Sequence, residues 1–333
     1  TEGVIVNTGI EGGVIQGANG VGALAGANAG TISNSHATAT VMGTNGVGGL
    51  VGDNYSVVAN CYATGAVSGK DDVGGVMGYT QYGTVDRCYG SGPVTASGAS
   101  VGGFAGFCAS IISDSYASGA VTGNSRVGGL VGHLVDGMIV YSYSSGSVSG
   151  STLVGGLIGQ TNEVYIAPSI FMSFWDTQTS GQAASASGTG KTTAQMKQQA
   201  TYPIWDFTTI WRITENVTYP RLAWQTSGPF TGATDAGSGW KYLSWFGYFK
   251  DGGGAWNGWI WHAEHGWMYY TGTSSSSLWF WVPRLNAWLW TSSTAYPFLW
   301  HSSAGAWWFY YRGTGTGSGG WFRNYSTGLN EWH

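Results

Sequence analysis

Two periodic patterns of apolar residues divide the chain. In the first half, one short apolar phrase returns six times, starting at Val21, Val47, Val73, Val101, Val127 and Val154, with Gly-Ala after the first valine and paired glycines after the other five. A second phrase follows each of the first five copies 14 or 15 residues later and reads, for example, Ser115-Tyr-Ala-Ser-Gly119. The apolar runs between glycines are short and rich in valine, which predicts brief strands separated by tight turns.

Repetition at this period predicts a β-solenoid of about six coils over residues 1–170. A single repeat cannot bury its apolar side, whereas stacked repeats form one continuous core. We therefore expect the valine, leucine, isoleucine and alanine side chains at matching positions to form ladders that face inward. The first apolar run, Val4, Ile5 and Val6, is expected to be an edge strand.

The linked phrases also resemble a known family. Val127-Gly-Gly-Leu-Val-Gly132 followed by Ser142-Tyr-Ser-Ser-Gly146 is similar to the GLUG motif of bacterial surface and secreted proteins, and the likeness extends over about residues 13–160. The resemblance implies a scaffold or adhesin-like module on the outside of a bacterial cell, without catalytic residues of its own.

Residues 171–226 are expected to cap the end of the solenoid, because an open strand edge invites polymerisation. Thr192 and Gln195 fit a capping box, which predicts a short helix within residues 193–200. The tryptophans of this segment are candidates to plug the last coil, namely Trp175, Trp205, Trp211 and Trp224. Residues 227–239 are rich in Ser, Gly and Thr and are predicted to form a linker.

The second pattern covers residues 240–333, here called the Trp module, which holds 15 of the 19 tryptophans. Pairs of aromatic runs around short polar turns predict an antiparallel β-meander. Residues two apart share a strand face, so Trp259 should lie beside Trp261, and Trp288 beside Trp290. The repeats loosely resemble the aromatic hairpins of cell-wall-binding modules.

Composition narrows the possible functions. Charged residues are 8% of the chain, with 12 Lys and Arg against 16 Asp and Glu. So few basic residues exclude nucleic-acid binding through phosphates. No apolar run is long enough to span a membrane as a helix.

Candidate chemistry is sparse, and no cofactor or metal is expected. Cys61 and Cys88 occupy the same position of adjacent repeats, so they either pack as buried thiols or form a coil-to-coil disulfide. His262, Glu264 and His265 are expected to form a hairpin turn rather than a metal site. Isolated acids such as Asp176 are expected to cap turns.

The leading hypothesis is an extracellular structural protein that is not an enzyme and assembles with itself into a filament or matrix. Its contacts would be strand-edge pairing and aromatic docking, through Val4, Ile5, Val6, Trp279, Trp281, Trp307 and Trp308. The alternative is a monomeric adhesin or glycan-binding module in which Trp259, Trp267 and Trp288 stack on sugar rings. A polysaccharide-active enzyme is a third hypothesis, which the scarcity of acidic residues disfavours.

Overall fold

The structure is a computed structural model that describes residues 3–226, 230, 233–251, 258–274 and 277–333. It divides into two compact units, Thr1–Leu222 and Ala223–His333. The fold is almost entirely β, as the sequence predicts. Among the described residues, no helix has the length and apolar character needed to cross a membrane.

Four parallel sheets form the solenoid, and each coil contributes strands to all of them. The Val-Gly sheet consists of Asn19–Gly22, Asn45–Gly48, Asp71–Gly74, Ala99–Gly102, Ser125–Gly128 and Thr152–Gly155. The long sheet consists of Val4–Val6, Ala25–Asn28, Thr31–Ser33, Val51–Asn54, Val57–Ala59, Met77–Asp86, Ala105–Ser113, Val131–Val135, Met138–Val140, Ile158–Asn162 and Ser169–Phe171. The tyrosine sheet consists of Gly9–Ile10, His36–Ala37, Tyr62–Ala63, Tyr89–Gly90, Tyr116–Ala117, Tyr143–Ser144, Phe174–Asp176 and Thr189–Lys191. The valine sheet consists of Val14–Gln16, Thr40–Met42, Val67–Gly69, Val94–Ala96, Val121–Thr122 and Val148–Ser149.

The paired glycines are required by the corner between the Val-Gly sheet and the long sheet. A Cβ on Gly74 would lie 2.0 Å from the carbonyl oxygen of Met77, and a Cβ on Gly75 would lie 2.2 Å from that of Gly103. The first clash would be within one coil and the second with the next coil. Both involve backbone that cannot move aside, so the phrase has glycine at both positions from the second coil onward, whereas the first coil has Ala23 at the second position.

The predicted inward ladders are present. One core cluster contains the equivalent leucine, valine and phenylalanine of successive coils, Leu50, Val76, Phe104, Leu130 and Leu157, all fully buried. A second cluster is built almost entirely of valines from the Val-Gly and valine sheets. Stacking identical positions lets each coil bury its apolar side against the next.

A ladder of aromatic rings follows the tyrosine sheet. The rings of His36, Tyr62, Tyr89, Tyr116 and Tyr143 stack with centroids 4.7–5.1 Å apart and planes within 5–7° of parallel. Because these separations match the spacing of hydrogen-bonded strands, the backbone register itself holds the rings face to face.

The end segment contains the predicted capping-box helix, Thr193–Met196, whose Thr192 and Gln195 cap each other reciprocally. A second short helix, Thr177–Ser180, begins at Asp176, whose carboxylate accepts hydrogen bonds from the backbone of Gln178 and Thr179. The other elements here are a 3₁₀ turn at Gln199–Thr201 and two antiparallel strands, Trp211–Arg212 and Arg221–Leu222. A strand also covers the last coil, because Thr189–Lys191 pairs with Phe174–Asp176.

Of the four predicted plug tryptophans, Trp224 belongs to the second unit, and the other three occupy two positions in the first, with Trp205 beside Trp211. Trp175 packs into the solenoid core, as expected of a plug. Trp211 instead lies beside the tyrosine ladder, where its indole Nε1 donates to Asp114 at 2.9 Å and its ring contacts Tyr116 and Tyr143. The segment therefore folds back along the side of the solenoid as well as closing its end.

The second unit contains an eleven-strand antiparallel meander in which successive strands pair in chain order. Its strands are Thr234–Gly237, Trp240–Leu243, Gly247–Lys250, Trp259–His262, Gly266–Ser274, Ser277–Val282, Ala287–Thr291, Phe298–His301, Ala306–Tyr310, Trp321–Asn324 and Asn330–Trp332. Among the described residues of this unit, 3₁₀ turns lie at Ala223–Thr226 and Pro283–Leu285. The first strand falls within the predicted linker, of which residues 227–229 and 231–232 lie outside the described residues.

One face of the meander is its core. Leucine, isoleucine and phenylalanine side chains such as Phe249, Phe280 and Leu289 are buried there together with three histidines, namely His262, His265 and His301. His262 accepts hydrogen bonds at Nδ1 from the backbone of Glu264 and His265, which fixes the predicted hairpin turn. Burial lowers the pKa of His262 to about 4 and that of His265 well below its usual value, so both are neutral at physiological pH.

Candidate functional site: the tryptophan face

The opposite face of the meander carries the aromatic residues. Along Ser277–Val282 and Ala287–Thr291, buried and partly exposed positions alternate, so every second side chain points away from the core. We call the outward aromatic side chains from Trp259 onward the tryptophan face. It consists of Trp259, Trp261, Trp267, Tyr269, Trp279, Trp281, Trp288, Trp290, Phe298, Trp300, Trp307, Phe309, Trp321 and Trp332.

Cross-strand register aligns these rings into rows that cross the sheet. One row runs through Trp279, Trp290, Trp300 and Trp307, which are directly opposite one another on four consecutive strands. The centroids of Trp300 and Trp307 are 5.6 Å apart at 73°, an edge-to-face contact. Such pairs stabilise the sheet and also fix the orientation of each indole.

A parallel row contains residues that the sequence assigns to sugar stacking. Trp259 is opposite Tyr269, which is opposite Trp281, which in turn is opposite Trp288. The Trp281 and Trp288 centroids are 5.8 Å apart, and Trp267 meets Trp259 edge to face at 6.4 Å. The rings are partly buried against each other, while Trp267 keeps 45% of its surface exposed. The face is therefore a pre-organised aromatic surface rather than a set of mobile side chains.

Six predicted surface residues of the Trp module lie on this face, namely Trp259, Trp267, Trp279, Trp281, Trp288 and Trp307. The prediction for Trp308 is wrong. Alternation turns its indole inward, where it is 5% exposed and packs on His301 and Phe322. Since Trp307 and Trp308 are adjacent on one strand, only one of them can face outward.

An open groove of about 540 Å³ lies at one end of the tryptophan face. Its lining includes the rings of Phe298, Trp307 and Tyr325, which are 40%, 38% and 54% exposed. Thr294 and Ala295, from the loop before Phe298, form another wall. A groove with three accessible aromatic rings and a hydroxyl has the chemistry of a site for a planar or ring-shaped ligand.

Charges on the tryptophan face are few and of one sign. At the outward strand positions described from Trp259 to Trp332, Arg323 is charged and none is Asp or Glu. The guanidinium of Arg323 lies over the Tyr325 ring, 5.9 Å from its centroid. Of the carboxylates that the structure describes, none forms an ion pair with it.

The sequence alone did not identify Phe298, Tyr325 and Arg323 as neighbours. Phe298, Phe309 and Arg323 are in register on three consecutive strands, and the Tyr325 backbone donates to the Trp307 carbonyl at 3.0 Å. The alternating pattern indicates which residues face outward, but not which strand positions are opposite each other. The residues around the groove can therefore be identified only from the strand register in the structure.

The predicted edge residues belong to the first coil. Val4 and Val6 are 72% and 42% exposed, whereas Ile5 between them packs against the core. Their strand, Val4–Val6, pairs with Thr31–Ser33, and no second strand is paired with it among the described residues.

The two predicted partner cysteines stack one coil apart as free, buried thiols. Each replaces a serine in a hydrogen-bond ladder: the Cys61 backbone N–H donates to the Cys88 sulfur at 3.4 Å, and the Cys88 backbone N–H donates to the Ser115 hydroxyl at 3.0 Å. Each side chain also donates to the carbonyl two residues before it, as Cys88 does to Asp86 at 3.2 Å. Burial raises the pKa of the Cys88 thiol well above its usual value.

Comparison with known proteins agrees with the repeat pattern. The family model described as the GLUG motif matches residues 123–149. No curated protein matches the chain. A solved structure from Bacteroides ovatus, described as a "putative immunoglobulin A1 protease", is similar to 67% of this chain and 76% of its own, with 20% sequence identity and a TM-score of 0.45. That score is too low to carry an argument about fold or activity. The chain therefore contains the GLUG motif, within a β-solenoid of about six coils.

Proposed function

We propose that the chain is an extracellular surface protein without catalytic activity, in which the solenoid is a scaffold and the Trp module binds polysaccharide. The observation that carries this proposal is the tryptophan face, whose indoles contact one another edge to face or at a tilt and remain partly exposed. Planar rings fixed in this way can stack on the apolar faces of sugars with little loss of conformational entropy. A contiguous aromatic surface of this kind on a soluble domain commonly marks a binding site.

The extracellular location is supported by the GLUG motif, since proteins with this motif are typically found at bacterial surfaces and in secretions. The absence of catalysis is supported by the way individual acids are used. Asp176 and Asp206 both accept hydrogen bonds from backbone N–H groups two and three residues ahead, which is the geometry of a structural cap.

A glycan array probed with the full-length chain tests the binding function. We expect binding to at least one polysaccharide class. We expect Trp307→Ala and Trp267→Ala to weaken it roughly 5- to 150-fold, taking the cost of one lost stacked ring as about 1–3 kcal/mol, as for aromatic stacking on nucleobases. Val217→Ala, on an exposed side chain of the solenoid unit, is the control and should bind normally. No binding across the array would rule out the proposal, and cleavage of a bound glycan would rule out its non-catalytic part.

Self-assembly is the second candidate, favoured by the exposed valines of the first coil. The far end of the solenoid is covered by Thr189–Lys191, so stacking of two copies there would require that strand to move. Negative-stain microscopy and light scattering on the full chain, and on a variant lacking residues 1–12, distinguish the two candidates. Filaments that disappear on truncation would support assembly, and monomers from both would support the binding module.

A further inference from the structure

We infer that the groove at the end of the tryptophan face selects an acidic polysaccharide, with Arg323 bound to a sugar carboxylate. The inference rests on the proposed glycan-binding function and names the class of glycan. It combines three features of the same small region: exposed rings, an available guanidinium and the absence of described acids on the outward strand positions.

The position of Arg323 suits a ligand that lies along the groove. Phe298, Phe309 and Arg323 are opposite one another on three consecutive strands. Two strand spacings separate Phe298 from Arg323, roughly 10 Å between their backbones. A chain of sugars with one ring on the groove aromatics would therefore bring a neighbouring sugar close to the guanidinium.

The charge of the region favours a carboxylate. A guanidinium presents a planar fork of donors that matches a carboxylate in two parallel hydrogen bonds. The Arg323 guanidinium rests over the Tyr325 ring, which limits the movement of the guanidinium. It forms no ion pair with any carboxylate in the part of the chain that the structure describes. The carboxylate of an acidic sugar would supply the counter-charge. It would not be repelled by an Asp or Glu side chain at the described outward strand positions.

The aromatic rings and the Arg323 charge are expected to contribute separately to the binding affinity. Stacking on Phe298 and Trp307 depends on the sugar ring, whereas the contact with Arg323 depends on its carboxylate. A ligand pair with the same sugar ring and different charge can therefore separate the two contributions. Oligogalacturonate and its fully methyl-esterified form are such a pair, because esterification replaces the charged carboxylate by a neutral ester and keeps the ring.

The test is isothermal titration calorimetry of the full-length chain with both ligands at low and high salt. We expect the acidic ligand to bind more tightly than the ester, and more weakly as salt rises. Arg323→Gln should weaken binding of the acidic ligand about tenfold and leave the ester unchanged. Arg323→Lys should retain part of the preference because the charge remains.

Two further variants complete the design. Arg221→Gln removes one positive charge from an exposed residue of the solenoid unit and should change neither affinity. Phe298→Ala should weaken both ligands alike, because it removes a ring that serves both.

The outcomes separate the inference from the function on which it rests. Equal affinities for acid and ester, or an acidic-ligand affinity that Arg323→Gln leaves unchanged, would overturn the inference while glycan binding stands. Binding of neutral glycans alone on the array would overturn it in the same way. No binding of any glycan would overturn both the inference and the proposed function.

Discussion

Replacing Asp114 by asparagine is expected to stabilise the solenoid at neutral pH. Asp114 is 9% exposed, adopts a left-handed backbone conformation with φ of 45°, and accepts a hydrogen bond from Trp211. Asn34 and Asn60 occupy the equivalent left-handed position of earlier coils, so asparagine fits this backbone. Its side-chain carbonyl can also accept the indole N–H, which leaves charge as the main change.

The magnitude follows from the ionisation of the carboxyl. Burial, reinforced by the nearby Asp86, raises the pKa of Asp114 from 3.8 to about 6 despite the hydrogen bond from Trp211. At 1.36 kcal/mol per pKa unit this shift corresponds to roughly 3 kcal/mol. Solvent screening at this partly accessible position reduces the expected effect to about 1–2 kcal/mol.

The sign follows from proton linkage. Since the folded pKa lies above the unfolded one, the folded state holds the proton more tightly, and stability falls as pH rises from about 4 to about 6. The neutral asparagine has no such dependence. The difference in unfolding free energy between Asp114→Asn and wild type should therefore be near zero at pH 4, grow up to about pH 6 and stay constant above it.

Urea unfolding followed by cysteine labelling measures this difference within the solenoid. All three cysteines are fully buried in the solenoid, and the Trp module contains none. A disulfide reagent that reacts at acidic as well as neutral pH therefore reports the unfolding of this unit alone. A destabilised Asp114→Asn variant, or a difference that does not change between pH 4 and pH 7, would refute the reasoning.

Asp136→Asn is the matched control. Asp136 also has a left-handed backbone, but backbone N–H groups of Val164, Tyr165 and Ile166 donate to its carboxylate and lower its pKa. Here the folded state favours the charged form, so the asparagine variant should not be stabilised at neutral pH.

Other substitutions should act through packing and hydrogen bonding. Gly75→Ala should cost about 1–3 kcal/mol in solenoid stability by urea titration, because its Cβ would press on the backbone of the next coil. Cys88→Ser should keep the ladder and change stability by less than about 1 kcal/mol, whereas Cys88→Ala loses the acceptor and should cost about 1–3 kcal/mol. Trp308→Ala should lower the free energy of unfolding of the Trp module by about 3–5 kcal/mol, whereas Trp307→Ala should mainly weaken ligand binding.

The solenoid could be predicted from the sequence because each coil repeats the same local requirements. The phrase around Val127 contains the end of one strand, the two glycines at which the chain turns and the start of the next strand. Six copies in phase make stacking the natural way to bury the valines, and the capping box at Thr192 is a local signal of the same kind. The equivalence of serine and cysteine in the second phrase is also visible in the sequence, and it becomes a hydrogen-bond ladder in the structure.

The features that sequence did not reveal depend on contacts between distant residues. Trp211 donates a hydrogen bond to Asp114, which lies 97 residues earlier in the sequence. No local sequence pattern indicates that the end segment folds back along the tyrosine ladder. In the Trp module, the pattern around Trp307 and Trp308 is aromatic on both sides, so the sequence does not say which ring is inside. In the structure, contacts with His301 and Phe322 show that Trp308 is the ring that faces the core.

Covalent footprinting of aromatic side chains, with and without the best glycan from the array, shows whether the tryptophan face is the surface that binds the glycan. Oxidation of each indole and of the exposed tyrosines is read by mass spectrometry on the full-length chain. We expect the glycan to protect the exposed Trp267 and Trp307 and to leave oxidation of Tyr82, an 81% exposed ring of the solenoid unit, unchanged. Protection confined to the solenoid unit, or none on the tryptophan face, would contradict it.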